Sequence, residues 1–327
     1  MTDIWRGAPV LVTGGAGFIG SHLVERLLER GARVRTVSRH PAKLRGFIGA
    51  TADEVEVIEG DLRNRDVAAK AVQGMQIVMH LAAAVAGVGY NMAHPGSMLT
   101  DNVDVGLPVL DAAARGAVER FLCVSSACVY QRACTIPTPE SEGFDGDPEP
   151  TNFGYGWAKR MLEVAARGYA QEFPMAIAIA RPYNAYGPRD NFDPATSHVV
   201  PALIRKVLGG DNPVTVWGDG SATRSFLYVD DFVAGLIAVA ERHAVCDPVN
   251  IGTDEEISIR DLIAIIVELS GAETRIVFDT SKPGGQPRRN GDFTKAARAC
   301  GFQARTPLRE GIAQTLAWYR QTGGHAQ

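Results

Sequence analysis

Residues 9–22 read PVLVTGGAGFIGSH. The apolar run PVLVT ends in glycines, and from Ser21 to Arg30 the residues Leu23, Val24, Leu27 and Leu28 recur at helical spacing. Gly31 stops that helix, and Arg33–Val37 resumes as an extended run. Strand, glycine turn, helix and strand make a βαβ unit. Gly14, Gly17 and Gly20 form a GxxGxxG turn between the strand and the helix. A turn in that place needs glycine to bend tightly, to let backbone approach a pyrophosphate and to pack the helix close to the sheet. The helix N-terminus adds free N–H groups and positive potential. The expected occupant is a dinucleotide, contacted by Gly14, Gly17, Phe18, Ile19 and Gly20.

The alternation continues outward from this unit. Strands are predicted at 55–58, 77–80, 120–124 and 176–180, with helices at 103–115 and 155–173 between them. Strands separated by helices imply a Rossmann-type, doubly wound parallel sheet in an α/β fold. After residue 181 the texture changes, because Pro182, Gly187, Pro188, Pro194 and Pro201 crowd a long polar loop. Helices near 201–208, 230–242, 258–270 and 307–320 and strands at 214–217 and 275–278 then suggest a smaller C-terminal α/β lobe over the carboxyl edge of the sheet. The division is therefore residues 1–181 for the dinucleotide-binding domain and 182–327 for the substrate lobe, with part of 226–251 completing the sheet.

Composition narrows the class. The chain has 327 residues, a net charge of −4 and 46% hydrophobic residues, so it has a core but no basic excess to hold a nucleic acid. Its five cysteines form no CxxC pair and no metal-type spacing with histidine, so no metal site is expected, and an odd count without a framework fits a reducing, cytoplasmic setting. The N-terminus lacks the pattern of a signal peptide, and no apolar segment reaches the length of a membrane span.

The end of the second strand reports on the ribose. NAD sites favour an acidic residue there, whereas this chain has Ser38 and Arg39, and an arginine pairs with a 2′-phosphate. NADP is expected over NAD, although NAD stays possible. Asp61 and Leu62 fall where an adenine contact is expected. Leu81, Ala82 and Ala83, in HLAAA, are small enough for a nicotinamide nucleotide to lie close.

Tyr155 and Lys159, in YGWAK, share one helix face. A phenol is a poor base at neutral pH, and a neighbouring ammonium favours its ionised form and suits it to proton transfer during hydride exchange. In VSSACVY (124–130), Ser126 is the choice for binding the reacting oxygen and Ser125 the fallback; a serine at a strand end also caps turns. Cys128 lies two residues beyond Ser126, on the same face of an extended strand, and so is able to share its pocket.

Taken together, GxxGxxG, VSSACVY, YGWAK, RPYNAYGP and WGDGSATRSFLYVDD resemble the extended short-chain dehydrogenase/reductases over about residues 8–320. The resemblance implies nucleotide-sugar substrates, chemistry at carbon 4 of a hexose and usually a homodimer. It implies further cofactor contacts at Tyr155, Lys159, Pro182 and Asn184. Ala127 and Cys128 stand where the dehydratase branch carries an Asp-Glu pair. Ser-x-Cys-x-Tyr instead resembles the branch of GDP-L-fucose synthase and GDP-mannose 3,5-epimerase, in which the thiol is an acid/base on the sugar ring. By the same resemblance PRDNFDPATSHVVPALIRK (188–206) places the partner histidine at His198. Asn184 is carried over as a contact to the sugar or its phosphates. Lys206, Arg224 and Arg288 are candidates to neutralise the diphosphate, and Trp217 to stack near the base. Gly284 departs from the synthase, which has an acidic residue after Ser-Lys-Pro. The expected activity is an NADP-dependent 3,5-epimerase/4-reductase of a 4-keto-6-deoxyhexose nucleotide. The alternative is an epimerase without net redox that retains its cofactor.

Overall fold

A computed structural model describes residues 3–282 and 286–323. The first half alternates strand and helix: β1 (Pro9–Thr13), α1 (Phe18–Glu29), β2 (Arg33–Ser38), α2 (Ala42–Ile48), β3 (Glu56–Glu59), α3 (Arg65–Val72), β4 (Ile77–His80), α4 (Val88–Ala93), α5 (Pro95–Arg115), β5 (Arg120–Val124), α6 (Phe153–Glu172) and β6 (Ala176–Pro182). The second half holds β7 (Ala185–Tyr186), α7 (Val199–Leu208), β8 (Val214–Trp217), β9 (Thr223–Ser225), β10 (Leu227–Tyr228), α8 (Val229–Arg242), β11 (Pro248–Ile251), β12 (Glu256–Ser258), α9 (Ile259–Ser270), β13 (Ile276–Asp279), β14 (Arg288–Arg289) and α10 (Leu308–Thr322).

The central sheet has seven strands in the order β11-β6-β5-β4-β1-β2-β3, and every pairing in it is parallel. This is the Rossmann-type doubly wound arrangement, whose crevice opens where the order reverses, between β1 and β4. Strand periodicity explains its two packed faces. Val10 and Val12 turn towards Leu23, Val24 and Leu27 of α1 and the apolar face of α8, while Leu11 turns towards α3, α5 and α6. A third cluster, in which Leu203, Ile204, Ile263 and Ile266 meet Tyr186, Phe226 and Leu316, forms the core of the smaller lobe. No helix among the described residues is long and apolar enough to cross a membrane.

One buried ion pair fixes the loop beyond β5 against β6 and β11. Arg181, at the end of β6, donates to both carboxylate oxygens of Glu163 on α6, and neither side chain is more than 1% exposed. Arg181 also reaches the Glu140 carbonyl and the Tyr130 hydroxyl, which itself donates to Asn250 on β11. Ser125 donates to Glu163 as well. Such a pair holds its geometry because removing either partner strands a buried charge.

Candidate active site

The glycine turn is shaped by what a side chain would strike. A Cβ on Gly20 would overlap the Gly14 carbonyl, and one on Gly15 would strike Thr36 on β2. Gly14 has a φ of +72° and passes against Ala82, 3.0 Å from the position of its missing Cβ. Thr13 locks this crossing: its hydroxyl accepts from the N–H groups of Leu81 and Ala82, both at 3.1 Å, and lies 2.9 Å from His80 Nδ1. Burial pushes the His80 pKa down to about 3, so the imidazole is neutral. α1 begins at Phe18, with Gly17 as its N-cap and no side chain capping its first turn, so its leading N–H groups face the turn. Small backbone, a bare helix N-terminus and the crevice between β1 and β4 fit a dinucleotide pyrophosphate.

Along the rim of that crevice the expected cofactor residues take varied environments. Arg39 is exposed at the end of β2 and makes no hydrogen bond or ion pair among the described residues, although its charge helps hold the Asp61 carboxyl low. Hydrogen bonding to Arg63 is the larger cause of that lowering. Ser38 caps the turn by accepting from His40 N–H at 3.0 Å, and Leu62 is buried. Leu81, Ala82 and Ala83 are half-buried where β4 ends, Pro182 is buried at the end of β6, and Asn184 donates to the Ser225 carbonyl at 2.9 Å.

Next to this turn, α6 meets the end of β5. Lys159 is buried and its ammonium donates to the Val124 carbonyl at 2.9 Å, 5.5 Å from the centre of the Tyr155 ring. Burial pulls its pKa below the ordinary lysine value. The sequence led us to expect a lowered phenol, but burial dominates and pushes Tyr155 well above its ordinary value; Cys128 adds to the rise and a hydrogen bond with Ser126 opposes it. Ser126 is thus the serine that faces Tyr155, whereas Ser125 is committed to Glu163.

Ser126 and Cys128 do not lie on a strand. β5 ends at Val124, and residues 127–129 form a 3-10 turn whose N-cap is Ser126, its oxygen accepting from Cys128 N–H at 3.1 Å. A serine side chain offers the backbone this alternative to the ladder. Both side chains remain partly open while Ser125, Ala127 and Val129 are buried.

The sequence reading missed two features. Gly154 and Gly156 flank Tyr155: a Cβ on the first would overlap the Pro95 carbonyl, and one on the second the Cys128 carbonyl. Two glycines in the first turn of a helix are costly for the helix itself, and that cost was the available signal. The second is Arg289, whose guanidinium lies 3.7 Å from the Cys128 sulfur. Arg288 was the candidate, but it is exposed and bound to Glu256. Neighbouring residues on a strand point to opposite sides.

The remaining candidates make no hydrogen bond or ion pair with Ser126, Cys128, Tyr155 or Lys159 among the described residues. Arg224 pairs with neither Asp230 nor Asp231; it donates to its neighbour's carbonyl, and burial, with Arg289 nearby, lowers its pKa to about 10. Lys206 donates to the Thr215 carbonyl at 2.6 Å, Trp217 is half exposed above Gly89 of α4, and Gly284 lies outside the described residues. His198 is the N-cap residue of α7; its ring keeps open surface yet is enclosed by enough protein to lower its pKa. The loop before it is tied to the segment after β4 by a bond from Gly87 N–H to the Thr196 carbonyl. His198 makes no hydrogen bond or ion pair with Cys128 among the described residues.

A family model described as the NAD dependent epimerase/dehydratase family matches residues 10–252. The chain belongs to that family. It is 33% identical over 321 residues to "Probable GDP-L-fucose synthase 1" of Oryza sativa subsp. japonica, covering 96% of this chain and 92% of that one. It is 31% identical to "dTDP-4-dehydro-6-deoxy-D-allose reductase" of Streptomyces bikiniensis, covering 97% and 98%. Among solved structures it is similar to UDP-glucose 4-epimerase from Thermotoga maritima, with a TM-score of 0.83 and 26% identity over 96% of this chain and 99% of that one. The chain is an NAD(P)-dependent enzyme of the nucleotide-sugar epimerase/reductase class.

The glycine turn yields a direct test. Forcing a methyl group into so tight a place costs about 1–3 kcal/mol, so Gly20→Ala is expected to weaken NAD(P)H binding about tenfold or more. Fluorescence titration measures it, and wild-type affinity in that variant contradicts the assignment.

Proposed function

We propose that this enzyme is an NADP-dependent 3,5-epimerase/4-reductase acting on a 4-keto-6-deoxyhexose nucleotide, with GDP as the nucleotide. The observation that carries this reading is the partly open Cys128 thiol in the same turn as Ser126, beside Tyr155 and Lys159. A simple reductase has no use for a thiol there, whereas inversion of a ring centre requires groups that move protons on and off carbon.

A ketone at carbon 4 acidifies the hydrogens on carbons 3 and 5. In this reading Cys128 exchanges a proton with the ring from one side and His198, from the loop leading into α7, does so from the other. Surroundings that lower its pKa keep the imidazole neutral at neutral pH and able to accept a proton. Ser126 and Tyr155 hold the oxygen on carbon 4. When bound, the nicotinamide cofactor supplies a hydride to that carbon, and Tyr155 gives the oxygen its proton. Lys159, anchored on Val124, holds positive charge beside the phenol. The free, exposed Arg39 suits a 2′-phosphate and supports NADP. Asn184, Lys206, Arg224 and Trp217 are the proposed contacts to the sugar nucleotide; Arg288, bound to Glu256, is not among them.

We further propose a homodimer formed through α6. Phe153, Trp157, Met161 and Val164 make one stripe on its outer face, and Phe153, Met161 and Val164 are 44%, 44% and 55% exposed. Sedimentation is expected to give a dimer for the wild type and a monomer for Met161→Glu; a wild-type monomer contradicts the proposal.

The activity is tested with GDP-4-keto-6-deoxymannose in deuterated water. Wild-type enzyme is expected to consume NADPH faster than NADH and to place solvent deuterium on the ring. Cys128→Ser is expected to lose ring exchange by about 100-fold or more, within the range for removal of an acid/base group. Exchange without consumption would leave an epimerase that retains its cofactor, and unaltered exchange in Cys128→Ser would remove the thiol from the reaction.

A further inference from the structure

We propose that Arg289 is the charge partner of Cys128, a positioning residue that holds the sulfur in its proton-accepting, thiolate form. The inference rests on the reading of Cys128 as a proton-transfer group and adds the element that such a thiol needs.

The guanidinium donates from Nη1 to the Cys128 sulfur at 3.7 Å. It is fixed there on both sides. Nε donates to Gln286 at 3.0 Å, and Gln286, only 6% exposed, donates to the Arg132 carbonyl at 3.1 Å. β14 pairs with β9, and the next residue, Asn290, accepts from Thr138 N–H at 3.0 Å. The chain that follows Cys128 thus binds the segment that carries Arg289 at two points.

Among the described residues Tyr155 and Lys159, both on α6, also act on the sulfur. The Lys159 ammonium donates to the Val124 carbonyl and acts on the sulfur through its charge, without a hydrogen bond to it. Glu149, 1% exposed, acts on Arg289 and on Arg224 from a distance, and one of its oxygens has no hydrogen-bond partner among the described residues. Burial opposes the charge on Arg289, yet Cys128 and Glu149 hold its pKa above the ordinary value. Among the described residues no other cysteine receives a hydrogen bond from an arginine.

With the thiolate so held, proton transfer balances. The proton passes from ring carbon to sulfur and the electron pair moves onto the carbonyl oxygen. A proton drawn from solvent through the neutral His198 imidazole then reaches the opposite face of the carbon, the carbonyl re-forms with the centre inverted, and the sulfur releases its proton to solvent. A neutral thiol at this place has no lone pair basic enough to begin that step at neutral pH.

Alkylation by iodoacetamide, followed at the Cys128 peptide by mass spectrometry across a pH series, tests the pairing. Loss of a facing positive charge shifts such a profile by about one pH unit or more. Arg289→Gln is therefore expected to label about tenfold more slowly at neutral pH, with the wild-type rate restored at alkaline pH, and Arg289→Lys is expected to recover most of the loss. A Gln variant that matches wild type at every pH overturns the proposal, as does one that is slower by the same factor at every pH, which would indicate access rather than charge. Should the Gln variant fail to fold, the ultraviolet difference between wild type and Cys128→Ser at neutral pH decides: a thiolate band supports the pairing and its absence overturns it. Neither readout depends on turnover, so the pairing and the catalytic role of the thiol fail separately.

Discussion

The site depends on a lysine taken out of water. Lys159 sits inside the protein with its ammonium on the Val124 carbonyl, at the carboxyl end of the middle of the sheet. A buried ammonium is tolerated only where its hydrogen bonds are met, and the carbonyl leaving β5 is free because the strand stops there. This contact sets the distance between α6 and β5. Tyr155, one turn earlier on α6, is thereby held against Ser126, and the turn that begins at Ser126 presents Cys128 beside it. Gly154 and Gly156 let the helix come this close, since any side chain at either position would meet a carbonyl.

The same economy of side chains builds the dinucleotide turn. Gly14, Gly15 and Gly20 leave room for backbone to cross backbone, and Thr13 ties β1 to the segment after β4 through three polar contacts. The sheet therefore brings two close approaches, the glycine turn after β1 and the turn after β5, to the same edge with β4 between them; in the proposed reading they serve a pyrophosphate and a reacting oxygen. The smaller lobe supplies the positive charge. Arg224 on β9 and Arg289 on β14 lie opposite each other in register, and both turn towards a region where Glu149 is the balancing acid.

Much of this was legible in the chain. The βαβ opening followed from PVLVTGGAGFIGSH, because the switch from a strand run to helical spacing across glycines admits few other structures. The Tyr155–Lys159 pair followed from helical periodicity. Other features were not legible, for reasons that are also physical. Ser126 and Cys128 were expected on one strand, but a serine that bonds its own backbone ends the strand early. The choice between Arg288 and Arg289 depends on the register of a two-residue strand, which has too few positions to show an alternation. The pKa of Tyr155 depends on how much protein surrounds it, and sequence spacing carries the neighbouring charge but not the burial. Gly154 and Gly156 were visible as unfavourable residues in a helix, but their purpose required the Pro95 and Cys128 carbonyls to be in place.

The central claim is that one hexose ring meets both the redox pair and the thiol. The most direct measurement is a crystal structure of the enzyme with NADP and a GDP-hexose bound. The account predicts the Tyr155 hydroxyl within hydrogen-bonding reach of the oxygen on carbon 4 and the Cys128 sulfur facing carbon 3 or carbon 5 of the same ring. A sugar bound at Tyr155 with Cys128 turned away from it would contradict the account.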